Sequence, residues 1–239
     1  MAGETIKTNG IVLDIHPWSQ TSHVTTWLTP DHGPVSTLVK GAVRPKSAFL
    51  GQYDLFYTCE LVYYARAKGE LHAIREVSPL SLREGLRGNF RATALASYVA
   101  HLVHEHCPHG GEAAEWFAFL ERWLDAAAAG RATGRELLSA EMEFLVLAGL
   151  SPDFAEADFS AASVPFAIDL GRAGAGAKTA QLPTGAALVL AGRADAAAAG
   201  GDDVLAALRF LGLFLRYHID MPPDIRRNTL RLLAKSGAK

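Results

Sequence analysis

The sequence predicts a mixed α+β, multi-domain chain: a five-stranded barrel at the amino terminus, then a helical domain. Three observations predict it. Five strand-like runs crowd about the first eighty residues, apolar residues return at helical spacing soon afterwards, and the change falls near Pro79. Hydrophobic residues make up 49% of the 239, enough for a sizeable core and too many for a disordered chain.

In the first strand Ile11, Leu13 and Ile15 alternate with Val12, Asp14 and His16. Pro17-Trp18-Ser19 reads as a turn, and Val24, Trp27 and Leu28 carry the second strand. A second turn, Pro30-Asp31-His32-Gly33, leads into Val35 to Val39, the third strand. The aromatic and branched run from Tyr53 to Tyr64 is the fourth; Lys68-Gly69 turns into Leu71, Ile74 and Val77, the fifth. Five short strands of this kind predict a closed barrel of the OB type. That fold often binds oligonucleotides across one face and its loops.

Past Pro79 the period changes. Leu95, Tyr98, Val99 and Leu102 form one amphipathic stripe, Trp116, Leu120, Trp123 and Ala127 a second, and Leu138, Met142 and Leu145 a third. A final helix pair is expected over Asp203 to His218 and Asp224 to Lys235. Leu205, Leu208, Leu211, Phe214 and Leu215 are its buried side, and Pro222-Pro223 separates the two helices. Ala155 to Gly201 breaks this pattern. It is rich in Gly and Ala, with strand-like pieces at Val164–Leu170 and Ala187–Leu190, and is read as an irregular hairpin inserted into an otherwise all-α domain. The DAAAAG segments at Asp125–Gly130 and Asp195–Gly200 are helix ends or linkers.

The chemistry points to one place. GPVSTLVKGAVRPKS, Gly33 to Ser47, runs a strand into a loop carrying Lys40, Arg44 and Lys46, with Gly41 supplying backbone freedom and Pro45 fixing a φ angle. Three cations within seven residues on a rigid strand end suit a polyanion backbone; the plainer alternative is a solvated loop. The formal net charge of −2 excludes a protein that coats nucleic acid indiscriminately, so any such contact is a local patch.

Other motifs fail their chemistry. HLVHEHCPH, His101 to His109, is neither HExxH nor HxxEH, and a solvated helix end explains it better than a metal centre. GRAGAGAKT, Gly171 to Thr179, lacks the glycine that a phosphate loop needs before its lysine, and Pro183 stands where the helix should follow. No nucleophile elbow is present, the carboxylates are scattered, and neither catalysis nor a cofactor is expected. Cys59 and Cys107 form no disulfide framework. No apolar run is long enough to cross a bilayer, and the amino terminus lacks a secretory pattern, so a soluble, cytoplasmic protein of a reducing compartment is expected.

Four pieces carry a resemblance. They are Gly10–Ser47, which contains S-x-x-H-V-x-T-x-L-T-P-x-H-G and K-G-A-x-R-P-K-S, then ELHAIREVSPL (Glu70–Leu80), FLVLAGLSPDF (Phe144–Phe154) and LRYHIDMPPDIRR (Leu215–Arg227). In these the chain resembles the RecO family of bacterial recombination and DNA-repair mediators. The resemblance implies a non-catalytic protein that binds single- and double-stranded DNA and promotes annealing. It also implies that the protein works with RecR to load RecA onto DNA covered by single-stranded-DNA-binding protein. Many relatives carry a four-cysteine zinc site after the G-L-x-P-D segment; here its first pair would fall near Ala157 and Ser160, which cannot hold zinc, and the second pair is missing. The segment is therefore expected to be held by packing alone.

The resulting division is an OB-fold DNA-binding domain over 1–80 and a helical domain over 81–239, with 155–201 standing in place of the relatives' zinc region. DNA contacts are expected from Lys40, Arg44 and Lys46. The carboxy-terminal cations Arg216, Arg226, Arg227 and Arg231, with Arg209, Lys235 and Lys239, outnumber Asp220 and Asp224. The first four are the expected dock for the acidic tail of a single-stranded-DNA-binding protein. The alternative function is an adaptor that docks such tails, with the barrel as scaffold.

Overall fold

A computed structural model describes residues 4–66, 69–194, 199–219 and 221–234. The chain packs as two compact units, Met1–Asn89 with Val99–Ala129 and Phe90–Tyr98 with Gly130–Lys239.

In the first unit five strands, β1 (Thr5–Ser19), β2 (Ser22–Thr29), β3 (Gly33–Val39), β4 (Thr58–Tyr64) and β5 (Leu71–Ser81), close a barrel in the order β1-β2-β3-β5-β4. All neighbours are antiparallel except β3 and β5, which pair in parallel through Ser36↔Leu71 to Leu38↔Ala73. The alternation seen in the sequence fills the interior with Val12, Trp27, Tyr57, Cys59, Leu61 and Val77. Trp27 is fully buried yet keeps its indole N–H satisfied, donating to Thr37 Oγ1 at 2.8 Å. Gly33 opens β3 at φ +65, where a Cβ would meet the Pro108 carbonyl oxygen at 2.7 Å.

Two boundaries differ from expectation. The fourth strand starts at Thr58 rather than Tyr53, because Phe56 turns the backbone to φ 68. Phe56 N–H donates to Val12 O at 3.0 Å and Val12 N–H to Tyr57 O at 3.0 Å, which anchors the loop against β1. Pro17-Trp18-Ser19 is not the turn; these residues end β1, and the chain reverses at Gln20 and Thr21. The turn expected at Lys68-Gly69 lies partly outside the described residues.

The helices α1 (Phe90–His106) and α2 (Ala114–Ala128) follow a single 3-10 turn, Glu84–Leu86. The cut expected at residue 80 follows the change from strand to helix, whereas the compact units follow packing, and α2 belongs with the barrel. Arg83 explains part of this. Its side chain, 2% exposed, donates from Nη1 to Phe56 O at 2.7 Å and Thr58 Oγ1 at 2.9 Å, and from Nε to Asp125 Oδ1 of α2 at 2.6 Å.

The second unit holds α3 (Gly134–Leu147), β6 (Ser163–Ala167), β7 (Arg172–Ala173), β8 (Thr179–Pro183), α4 (Thr184–Leu190), α5 (Gly201–His218) and α6 (Pro223–Ala234). Thr133 and Glu136 form a capping box at the start of α3, and Pro223, which has no N–H to leave unpaired, opens α6. The segment expected to be irregular is ordered among its described residues. β7-β6-β8 make an antiparallel sheet, so hydrogen bonding as well as packing holds it. Phe166 sits between Phe154 and Phe210, both 4.9 Å away by ring centroid. Ala187–Leu190, expected as a strand, is helical, since a short Ala- and Leu-containing run carries no period that separates the two. Leu205, expected on the buried side of α5, is 47% exposed. Asp195 to Ala198, Asp220, Lys235 and Lys239 lie outside the described residues.

Replacing Arg83 with Met should strip hydrogen bonds from the buried Phe56 carbonyl and Thr58 hydroxyl and lower stability by about 2 to 4 kcal/mol in urea unfolding. Asp125→Asn, at the exposed end of the same contact, should cost about 1 kcal/mol or less.

Candidate nucleic-acid interface

The connection between β3 and β4, residues 40–57, is the longest in the barrel unit among the described residues. It satisfies its own backbone through successive turns: Arg44 N–H to Gly41 O at 3.2 Å, Ser47 N–H to Arg44 O at 2.9 Å, and Gln52 N–H to Phe49 O at 3.1 Å. Gly41, at φ +68, starts the series, and a Cβ there would press on the Arg44 side chain at 3.2 Å. The loop is tied to the β1–β2 hairpin by Gly41 N–H to Ser22 Oγ at 3.2 Å and Val43 N–H to Thr21 O at 3.4 Å.

Lys40, Arg44 and Lys46 are all exposed, and among the described residues none makes an ion pair. No carboxylate lies between Lys40 and Tyr53. The structure therefore places all three expected cations on one ordered loop with their charge uncompensated. Cations so placed suit phosphate oxygens, contacts that position a strand without reading its sequence. Beside it a hollow of about 370 Å³ is lined by Ile15, His23, Val43, Phe49 and Tyr53, with His23 Nδ1 2.9 Å from the Tyr53 hydroxyl. Sequence reasoning missed Trp18, 63% exposed on the same hairpin. Its signal was the loss of alternation at Pro17.

The carboxy-terminal cations divide. Arg216, Arg227 and Arg231 are exposed, but Arg226 is buried. Arg226 donates from Nε and Nη2 to the two carboxylate oxygens of Glu141 at 2.6 and 2.8 Å, and to Leu208 O at 2.7 Å. Glu141 has no exposed surface and also accepts from the Tyr98 hydroxyl at 2.6 Å; burial pushes the Tyr98 pKa up. Arg226 is therefore withdrawn from the expected docking set, because its charge is spent on Glu141. Arg216, Arg226 and Arg227 line a groove of about 320 Å³ with Leu213, Leu215, Met221 and Leu230, and Arg231 is not part of that lining. Arg227 is paired with Asp224 at 2.5 Å. Of the four, Arg216 is the cation at the groove that has no ion pair among the described residues.

Family models for the recombination protein O N terminus and C terminus match residues 1–83 and 87–227. The chain belongs to the RecO family. A DNA repair protein RecO of Anaeromyxobacter sp. (strain Fw109-5) is 32% identical over 153 residues, 62% of this chain and 58% of that protein. One of Syntrophotalea carbinolica is 23% identical over 173 residues, 70% and 67% of the two chains. One of Bacillus subtilis (strain 168) is 34% identical over 98 residues, 41% and 37%. The chain thus spans about three fifths of the Anaeromyxobacter relative.

The zinc site of many RecO relatives does not fit these residues. Ala157 offers no ligand, and Ser160 directs its hydroxyl to Asp158 Oδ1 at 2.7 Å. Among the described residues no three His, Cys, Asp or Glu side chains are grouped as a metal would need, His101 and His104 included. The near-phosphate loop is likewise filled from within: Asp169 accepts from Ala177 N–H at 3.1 Å and Lys178 N–H at 3.0 Å, so a carboxylate occupies the amides a phosphate would seek. No helix among the described residues is long and apolar enough to cross a membrane.

Arg226→Ala should destabilise the protein by about 3 to 5 kcal/mol, because it strands a fully buried carboxylate. Its sequence neighbour Arg227→Ala should stay within about 0.5 kcal/mol of the parent. Paired denaturant titrations read the contrast directly.

Proposed function

We propose that this RecO-family chain is a non-catalytic mediator of DNA repair and recombination. It binds single- and double-stranded DNA through the β3–β4 loop, promotes annealing, and works with RecR to load RecA onto strands covered by single-stranded-DNA-binding protein. Its place of work is then the cytoplasm, at the nucleoid. The observation that carries the reading is the ordered loop bearing Lys40, Arg44 and Lys46, exposed and without ion pairs among the described residues. Family membership and the DNA-repair names of the relatives support it. Annealing asks for phosphate neutralisation that leaves bases free to pair, and cations that address only the backbone supply that.

The test is a fluorescence-anisotropy titration of the full chain with labelled DNA at several salt concentrations. Changing Lys40, Arg44 and Lys46 together to Glu should weaken binding. It should also flatten the dependence of log K on log salt by about 2 units for single strands and 3 for duplex, if each cation meets one phosphate. An unchanged slope in a folded variant removes the loop from the interface.

The groove between α5 and α6 supports the acidic-tail contact. A tail that ends in an apolar residue and a carboxylate needs a hydrophobic slot beside a cation, and Arg serves better than Lys because its planar fork binds both oxygens. Among the described residues Arg216 has no ion pair to release, whereas Arg227 would first have to release Asp224. Arg216→Ala should weaken binding of an acidic tail peptide about threefold to tenfold and leave duplex binding unchanged. Equal loss for both ligands would assign Arg216 to DNA and take the groove away from the tail.

A further inference from the structure

We propose that Trp18 is a base-stacking residue that makes the basic loop favour unpaired over paired DNA, an inference that rests on the loop's proposed role in DNA binding. The first observation is exposure: Trp18 is 63% exposed, while Trp27 and Trp116 are buried. The second is register. Pro17 pairs with His23 and Ser19 with Ser22, so Trp18 is the extra residue of a bulge and has no partner on β2. A bulge breaks the in–out alternation and re-aims a side chain away from the ladder. An exposed tryptophan in such a position gains nothing for the barrel core and offers both of its faces to a ligand.

The third observation is what stands beside it. His23, opposite the bulge, also pairs with Val39, the residue before Lys40. The hairpin tip is hydrogen-bonded to the basic loop at Ser22 and Thr21. The aromatic and the cations thus share one rim of the barrel. Two carboxylates on the neighbouring segments have partners: Asp14 is 2.5 Å from His16, an ion pair only when that imidazole is protonated, and Asp54 is 3.0 Å from Arg87. Val43 and Leu50, 46% and 53% exposed on the same loop, extend the apolar surface between the charges.

A positive rim with an exposed aromatic fits a strand whose phosphates meet the cations while a base lies on the ring. A duplex keeps its bases stacked inside and offers only phosphates, so it gains nothing from Trp18. A protein partner covering this patch would instead leave DNA binding indifferent to the tryptophan.

The experiment uses the full chain with two probes, a labelled oligodeoxythymidylate and a labelled mixed-sequence duplex. Trp18→Ala should weaken binding of the oligothymidylate at least about fivefold and leave duplex binding and its salt slope unchanged. Trp18→Phe should restore most of the affinity. Quenching of intrinsic tryptophan fluorescence by the oligothymidylate should disappear in Trp18→Phe, a readout that a merely structural role would not move. Equal weakening on both probes, or no change on either, overturns the stacking role and leaves the cation loop standing. If the parent protein binds neither probe, the DNA-binding reading falls and the stacking role falls with it.

Discussion

Closure of the barrel by the parallel β3–β5 pair is the constraint on which the amino-terminal unit depends. Parallel neighbours cannot be joined by a tight hairpin. After β3 the chain must cross to β4, whose first residue, Thr58, lies opposite Ile11 of β1 and Ser81 of β5. The long loop over 40–57 is therefore a consequence of topology, and topology also decides its location, beside the β1–β2 hairpin. The loop's backbone hydrogen bonds go to its own turns and to β1 and the β1–β2 hairpin, and its cationic side chains take no part in them. The proposed DNA contact draws on those side chains.

Buried arginines show the opposite use of the same residue type. Arg83 in one unit and Arg226 in the other are each enclosed by acceptors, Asp125, Phe56 O and Thr58 for the first, Glu141 and Leu208 O for the second. A buried guanidinium is strongly disfavoured without partners, so these contacts are obligatory once the side chain is enclosed. Paired with a carboxylate at hydrogen-bonding distance, each contributes little field outside the protein. The charge that a polyanion senses comes from exposed and unpaired groups. That distinction reconciles a chain of net charge −2 with a local positive rim.

The barrel was legible because period-two alternation and turn residues agree strand by strand. Where they disagree, the sequence misleads: Phe56 belongs to an aromatic run that resembles strand, yet it takes φ 68, a backbone state its composition does not announce. The three cations of the loop were legible because they are clustered in sequence. Arg226 was misplaced for the converse reason, since adjacency to Arg227 says nothing about direction on a helix, where neighbours point about 100° apart. Helical spacing held the missing signal. Arg226, Thr229 and Leu233 fall at i, i+3 and i+7 and are all buried, and Glu141 lies on the buried stripe with Leu137, Leu138, Phe144 and Leu145. An acid and a base, each on the apolar stripe of a different helix, point to a buried pair. The bulge at Trp18 left only a partial trace, the loss of alternation at Pro17, because register is a property of two strands.

Under the proposed function, annealing makes opposing demands on one surface, and a rim of three cations would answer them by small numbers. Bringing two strands together requires their phosphates to be screened, but a surface that met as many as 6 to 10 phosphates would lose several orders of magnitude of affinity with salt and hold its strand too firmly to pass it on. Three cations give a shallower dependence and a faster release. A grip on base edges would compete with pairing, whereas backbone contacts, and contacts to the flat face of a base, leave the Watson–Crick edge open. If the rim and the α5–α6 groove act as proposed, weak, edge-sparing attachment at one together with tail docking at the other would raise local concentration through linkage instead of through tight binding at either site. For a mediator of the proposed kind, that division of labour follows from the arithmetic of three charges.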